Sequence, residues 1–348
     1  MGIVADASGA RREPRPAADL GEHHSLGRLH HLLHARSTLG PLVVLLSSIV
    51  LFSVWAPTDR FLATDNFSLI IQQVMVVGAI AIGQTVVVLT AGVDLSVGWL
   101  MAFAMLTMAK LSENGTNGVA ALLIGLLVGL AAGLVNGALI TRLKLPPFIV
   151  TLATLFVYKT LTLYISKSAT VRGRDMSEVL LWTGNTFTVF GTRVPYGAVI
   201  MLVMFAVVGY ALRSTMWGRH VYATGGDTEA SRLTGIRTNR VLVSAYALAG
   251  VMCAIAGWIL IGRIAGASPQ SGEQDYNLDS ITAVVIGGTS LFGGRGRVLG
   301  TLLGVLTVGI FRNGLTLAGV QDIWQNFAVG VLILGAVTID QWTRKAVA

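Results

Sequence analysis

Apolar runs of about 20 residues recur along most of this chain, and each is long enough to cross a hydrocarbon core about 30 Å thick. They fall at roughly 39–57, 68–90, 96–111, 118–140, 148–166, 195–212, 242–262, 281–294, 298–318 and 324–342. A transmembrane β-barrel alternates apolar and polar residues, whereas these runs are continuous. Composition agrees: 53% of the 348 residues are hydrophobic and 12% are charged, against about 25% charged in a soluble domain. The expected fold is all-α, a polytopic membrane bundle of about ten transmembrane segments. It occupies residues 39–348 and follows a polar tail over 1–38.

The formal charge is +8, from 25 Lys and Arg against 17 Asp and Glu. In a bundle of this kind the excess sets orientation rather than recruiting nucleic acid, because basic residues collect on the cytoplasmic side. With the N-terminus inside, sixteen basic residues fall on that side, eight fall on the other, and Arg312 lies within a span. Both termini are therefore expected in the cytoplasm, with the acidic loop carrying Glu273, Asp275 and Asp279 outside. The tail holds five arginines and five of the six histidines. It reads as a disordered cytoplasmic extension rather than a cleaved signal, since no short apolar stretch with a small-residue cleavage site is found there. Cys253, the single cysteine, excludes an intrachain disulfide and a cysteine metal cluster, and no metal site is expected.

Two segments, 96–111 and 281–294, are short for a full span, and short or glycine-interrupted segments often mark broken helices on a transport path. Gly125, Gly129, Gly133 and Gly137 repeat every four residues, and Gly300 and Gly304 repeat the spacing. Such stripes let a neighbouring backbone approach closely, so static tight packing is the expectation, with a sliding surface the other reading. Pro146 and Pro147 suit a helix start, where a missing N–H is harmless.

Asp94 lies between two apolar runs in AGVDLSVG, and a carboxylate in hydrocarbon costs roughly 2.5–3.5 kcal/mol on insertion scales. One reading has Asp94 and Ser96 capping the helix that follows the Ala91–Gly92 break by accepting its orphaned N–H groups. The other has Asp94 lining a solute path. Further polar candidates for that path are Gln84, Asn136, Asn277, Asp279 and Asn313, with Gln72, Gln73, Gln325 and Asn326 also in or near spans. Interhelical hydrogen bonds explain most such residues.

The polar stretch VYATGGDTEASRLTGIRTNRV, residues 221–241, reads as folded. Gly225 and Gly226 suggest a turn, Asp227 a helix N-cap, and Gly235 a left-handed terminator. Glu229 and Ala230 fall in the first turn, where Glu229 complements the helix dipole. So short a helix is marginal alone, so a docked knob is expected within a cytoplasmic segment spanning 213–241. The chain carries no G-x-x-x-x-G-K-[ST] sequence, and the glycine-rich GGTSLFGGRG at 287–296 lacks the lysine. It is not a phosphate loop, so any ATP used must be bound by another chain.

AGVDLSVG, LPPFIVTLATL, GGDTEASRLTGI and NLDSITAVVIGGTSLFGGRGRVLGTLLG together resemble the permease subunits of bacterial carbohydrate ATP-binding-cassette importers of the ribose, xylose and fructose type. The resemblance runs in order from about residue 39 to the C-terminus and is closest to the fructose branch. It implies a multi-pass protein of the bacterial inner membrane, paired with a second permease copy or paralogue. It also implies ATPase subunits that bind the ATP and Mg, and a periplasmic or lipid-anchored sugar-binding protein. This chain itself would hold no cofactor and catalyse no covalent change. Residues 224–240 would be the segment seated in the ATPase. Glu229, Ala230 and Gly235 match the E-A-A…G pattern, with Ser231 where alanine is common.

Other classes fit less well. A nucleoside or other small furanose suits the same machinery. An ion-coupled transporter needs ionisable relays in its spans, and Asp94 has no evident partner. An intramembrane enzyme using Ser96 and Asp94 lacks a histidine or lysine placed to serve as base.

Overall fold

The computed structural model of the chain describes residues 38–345, so the expected tail lies outside the described residues except for Thr38. Nine of the ten expected apolar segments form helices, and the tenth, 281–294, is helical only in its first part. In order these are α1 Leu39–Trp55, α2 Thr64–Leu89, α3 Val97–Glu113, α4 Gly118–Arg142, α5 Pro147–Ser166 and α6 Tyr196–Ser214. The short α7 Met216–Gly226 and α8 Thr228–Leu233 follow, then α9 Thr238–Ile264, α10 Tyr276–Ile286, α11 Val298–Leu317 and α12 Asp322–Lys345. By length and composition α2, α4, α5, α6, α9 and α11 are able to cross a membrane, while the apolar α1 and α10 are shorter. The architecture is a helical membrane bundle.

Helix α2 is its axis. Every residue from Val74 to Thr90 is buried, as expected of a helix that is apolar all round. By contrast α4 and α5 present Leu127, Phe148 and Phe156 outward, the face a bilayer would cover. The glycine stripe of α4 meets α9 backbone to backbone. A Cβ at Gly129 would stand 2.5 Å from the Gly250 carbonyl oxygen, and one at Gly137 would stand 2.8 Å from Val243 Cα. Gly125 instead faces Met108 of α3. In the same way Gly300 and Gly304 of α11 lie on the backbone of Gly287 and Ala283, which ties α10 and α11 into one tight pair.

Two expectations need correction. The segment at 281–294 is not one apolar run of helix: α10 stops at Ile286 and residues 287–297 form a loop. Gly288, Gly293 and Gly294 take φ of 79°, 83° and 68° there, a region open to glycine and costly for other residues. Nor is the chain purely helical. Strand β1 (Val171–Arg172) pairs with β4 (Gly266–Ala267), and β2 (Thr186–Val189) pairs with β3 (Thr192–Pro195), both antiparallel. The β2–β3 hairpin turns through Phe190 and Gly191 at φ 48° and 82°, the positive pair that matches strand twist.

Candidate functional site

The break that carries Asp94 is built by the end of α2. Gly92 N–H bonds to the Val87 carbonyl (3.1 Å) and Ala91 N–H to that of Val88 (2.9 Å), a Schellman arrangement with Ala91 in the left-handed position at φ 60°. Glycine stands one residue later for reasons of space. A Cβ on Gly92 would lie 2.6 Å from the Tyr246 hydroxyl.

Asp94 is 1% exposed. Its Oδ1 accepts the Ser96 N–H (2.8 Å) and the Ser96 hydroxyl (2.6 Å). Asn136 Nδ2 of α4 donates to the same hydroxyl oxygen at 3.0 Å. The Tyr158 hydroxyl of α5 lies within bonding distance of Asn136 Oδ1 (3.1 Å) and the Ala132 carbonyl (3.0 Å). Thr151 donates to the Val93 carbonyl (3.2 Å). The break is thus pinned to α4 and α5. Among the described residues no Lys, Arg or His nitrogen lies within 4 Å of the carboxylate. Hydrogen bonds to a charged group, at about 1.5–3 kcal/mol each, offset part of its burial.

The capping expectation is half corrected. Asp94 accepts one N–H, that of Ser96, while the Ser96 side chain makes no cap bond to α3. Its hydroxyl is spent between Asp94 and Asn136.

The remaining candidates separate. Asn313 exchanges two bonds with Asn66 of α2 (3.0 and 2.8 Å), a brace between α2 and α11. Asn277 accepts the Leu278 N–H. Gln84 is fully buried, and both ends of its amide lack a partner among the described residues. Asp279 forms an ion pair that sequence reading missed: Arg312 Nη2 and Nε reach its Oδ1 at 2.6 and 3.1 Å. The signal was a lone arginine inside an apolar run. The pair borders a cavity of about 390 Å³ whose polar lining includes Gln73, Arg263, Gln274 and Asn326. None of Asp94, Ser96, Gln84, Asn136 or Asn313 lines it.

At the break's other side stands the 221–241 segment. Gly225 and Gly226 are not a turn. They finish α7, and the chain bends at Asp227. Asp227 caps α8, its Oδ1 accepting the Ala230 N–H at 2.9 Å, and Gly235 is left-handed at φ 88°. Glu229 pairs with Arg232 at 3.4 Å in the open. Ser231, the departure from alanine, is buried, where only a small residue is needed. Leu233 ends α8 at 80% exposure, an apolar tip that the sequence reading did not single out.

Three backbones meet at this junction. Gly225 lies directly on the Leu89 carbonyl oxygen, leaving no room for a Cβ. The same oxygen accepts the Gly294 N–H at 3.0 Å. A Cβ on Gly293 would stand 2.5 Å from the Gly225 oxygen and 2.8 Å from Ala91 Cβ. Gly226 has open space at its Cβ position. Tyr222 adds a hydroxyl bond to the Gly296 carbonyl (3.0 Å). The last residues of α7 therefore touch both the break before Asp94 and the loop between α10 and α11.

Comparison with known proteins places the chain among transport permeases. A family described as "Branched-chain amino acid transport system / permease component" matches residues 66–337. A fructose import permease protein of Rhizobium meliloti is 43% identical over 327 residues, covering 93% of this chain and 90% of that protein. A ribose import permease protein of Bacillus subtilis is 43% identical over 307 residues, covering 87% and 92%. One from Escherichia coli K12 is 36% identical over 303 residues, covering 86% and 92%. The chain is a multi-pass membrane protein that moves a solute rather than transforming it, and it belongs to this family of transport-system permease components.

Proposed function

We propose that the chain is the membrane pore of an ATP-driven importer of a monosaccharide in the bacterial inner membrane. Similarity at 43% to both a fructose and a ribose permease supports the sugar class common to them. Helices α1–α6 and α9–α12, of which α10 is short, form about ten membrane segments, with both termini and α7–α8 in the cytoplasm. A second permease, copy or paralogue, completes the pore. ATPase subunits holding ATP and Mg receive α8, and a periplasmic or lipid-anchored binding protein delivers the sugar.

The observation that carries this reading is the junction at Gly225. Closure of the ATPases displaces α8 through Leu233, Glu229 and Ala230. The motion reaches the Leu89 carbonyl and Gly294 by direct backbone contact. It then shifts the break at residues 90–96, which Asp94, Ser96 and Asn136 hold as a unit. Coupling of this kind needs the ATPase to bind the two pore states with different affinity. The cavity beside Asp279 and Arg312 opens at the opposite end and offers donors and acceptors suited to sugar hydroxyls. Gln84, buried without a structural bond, is a second polar point on the route.

The test is reconstitution. Vesicles holding this chain alone should not concentrate sugar, whereas vesicles holding its cognate ATPase and binding protein should do so when ATP is supplied. Accumulation by the chain alone, driven by an ion gradient, would sink the proposal.

A further inference from the structure

We propose that the groove between α6 and α11 is a binding site for one anionic phospholipid. The groove has a volume of about 770 Å³, with walls of Leu202, Phe205, Leu299 and Leu302 and with Arg213 and Arg297 at one end. Leu202 is 49% exposed and Leu299 57%, so these walls await an apolar neighbour. Arg213 and Leu202 are eleven residues apart on α6, about 16 Å at a rise of about 1.5 Å per residue. That is about half of a 30 Å hydrocarbon core, the depth of a single leaflet. A lipid whose headgroup sits at the arginines has acyl chains that end where the groove ends.

Charge selects the headgroup. Among the described residues no carboxylate lies within 4 Å of either guanidinium. A guanidinium is a fork that matches phosphate oxygens, and basic pockets between helices on the cytoplasmic side suit anionic lipid headgroups. Tyr222 lines the same end and is held there by its bond to the Gly296 carbonyl. A zwitterionic lipid fills the walls equally well but places an ammonium beside two arginines. A second copy of the chain, related by an axis along the membrane normal, brings its own arginines to the same depth. Residues 1–37 carry five arginines against four carboxylates and supply no net counter-charge.

The proposal rests on the membrane reading and not on what is transported. Purified full-length permease, delipidated in detergent, is titrated with phosphatidylglycerol or phosphatidylcholine of the same acyl chains, and retained lipid is read by native mass spectrometry. Two lipid-facing arginines predict a preference of about thirtyfold for phosphatidylglycerol. The preference should vanish in Arg213→Gln/Arg297→Gln and persist in part in Arg213→Lys/Arg297→Lys. No preference in the parent chain, or an unchanged one in the Gln variant, overturns the site. Displacement of the lipid by millimolar inorganic phosphate does so too, since that marks a free-anion site. A photo-crosslinker at Leu202 in native membranes should label lipid, and labelling of a second copy or of residues 1–37 contradicts the assignment. None of these readouts uses sugar or ATP, so the lipid site and the transport reading fail independently.

Discussion

A carboxylate with no cation beside it must be held by hydrogen bonds, and Asp94 receives two on one oxygen from Ser96. An amide oxygen accepts the same two, so Asp94→Asn should keep the break intact and retain part of the uptake. Asp94→Ala leaves the Ser96 N–H without its acceptor and frees the hydroxyl that orients Asn136, a loss of about 2–4 kcal/mol. Melting temperature and uptake measured on both variants decide it, and equal loss of uptake with normal melting in both would mean that the charge itself is needed. Asp279 and Arg312 invite a different comparison. Removing one partner of a buried pair costs about 3–5 kcal/mol when the other is stranded, and the partial exposure of Arg312 lowers that figure. Asp279→Asn with Arg312→Gln should therefore cost less than the sum of the singles in a thermal-melt cycle; strict additivity would show the two to be uncoupled. Asp94 stood out in the sequence because it interrupts apolar runs. Asn136 was visible as a polar residue, but its bond to Ser96 was not, because 40 residues of chain separate the two.

Helices in this bundle approach one another as closely as their glycines permit. At Gly133 a Cβ would stand 2.9 Å from the Tyr246 carbonyl carbon and 3.0 Å from Ala247 Cα. Gly133→Ala should thus force α4 off α9 and lower the melting temperature, whereas Gly330→Ala, with open space around its Cβ position, should not; similar melting for both would contradict the packing argument. The exposed tip of α8 predicts a loss of another kind. Leu233→Ser should leave melting unchanged and weaken co-purification of the ATPase by about tenfold, a difference of about 1.4 kcal/mol. Unchanged co-purification would remove Leu233 from the interface. Continuous hydrophobicity made every long helix legible, and Pro147 marked the start of α5 and Gly235 the end of the short α8 as expected. The β2–β3 hairpin was hidden because four-residue strands beside a tyrosine-led apolar helix leave too short an alternation to read. The end of α10 at Ile286 was masked by Leu291 and Phe292, which prolong the hydrophobic signal into the glycine loop.

For the molecule as a whole, the buried break, the loop after α10 and the end of α7 that leads into α8 meet at one place where backbones touch. Residues 225, 89 and 293–294 are far apart in the chain, and their meeting follows only from tertiary packing. The sequence displayed Gly225 and Gly226 as equivalent, whereas in the fold a Cβ would clash at Gly225 and meet open space at Gly226. That asymmetry permits the most direct test of the lever. In vesicles containing the permease, its ATPase and its binding protein, sugar uptake and ATP hydrolysis are measured together for Gly225→Ala and Gly226→Ala. The account predicts that Gly225→Ala continues to hydrolyse ATP while uptake falls at least about tenfold, a coupling loss of about 1.4 kcal/mol or more, and that Gly226→Ala stays near the parent on both measures. Equal behaviour of the two variants, or full uptake with Gly225→Ala, would contradict it.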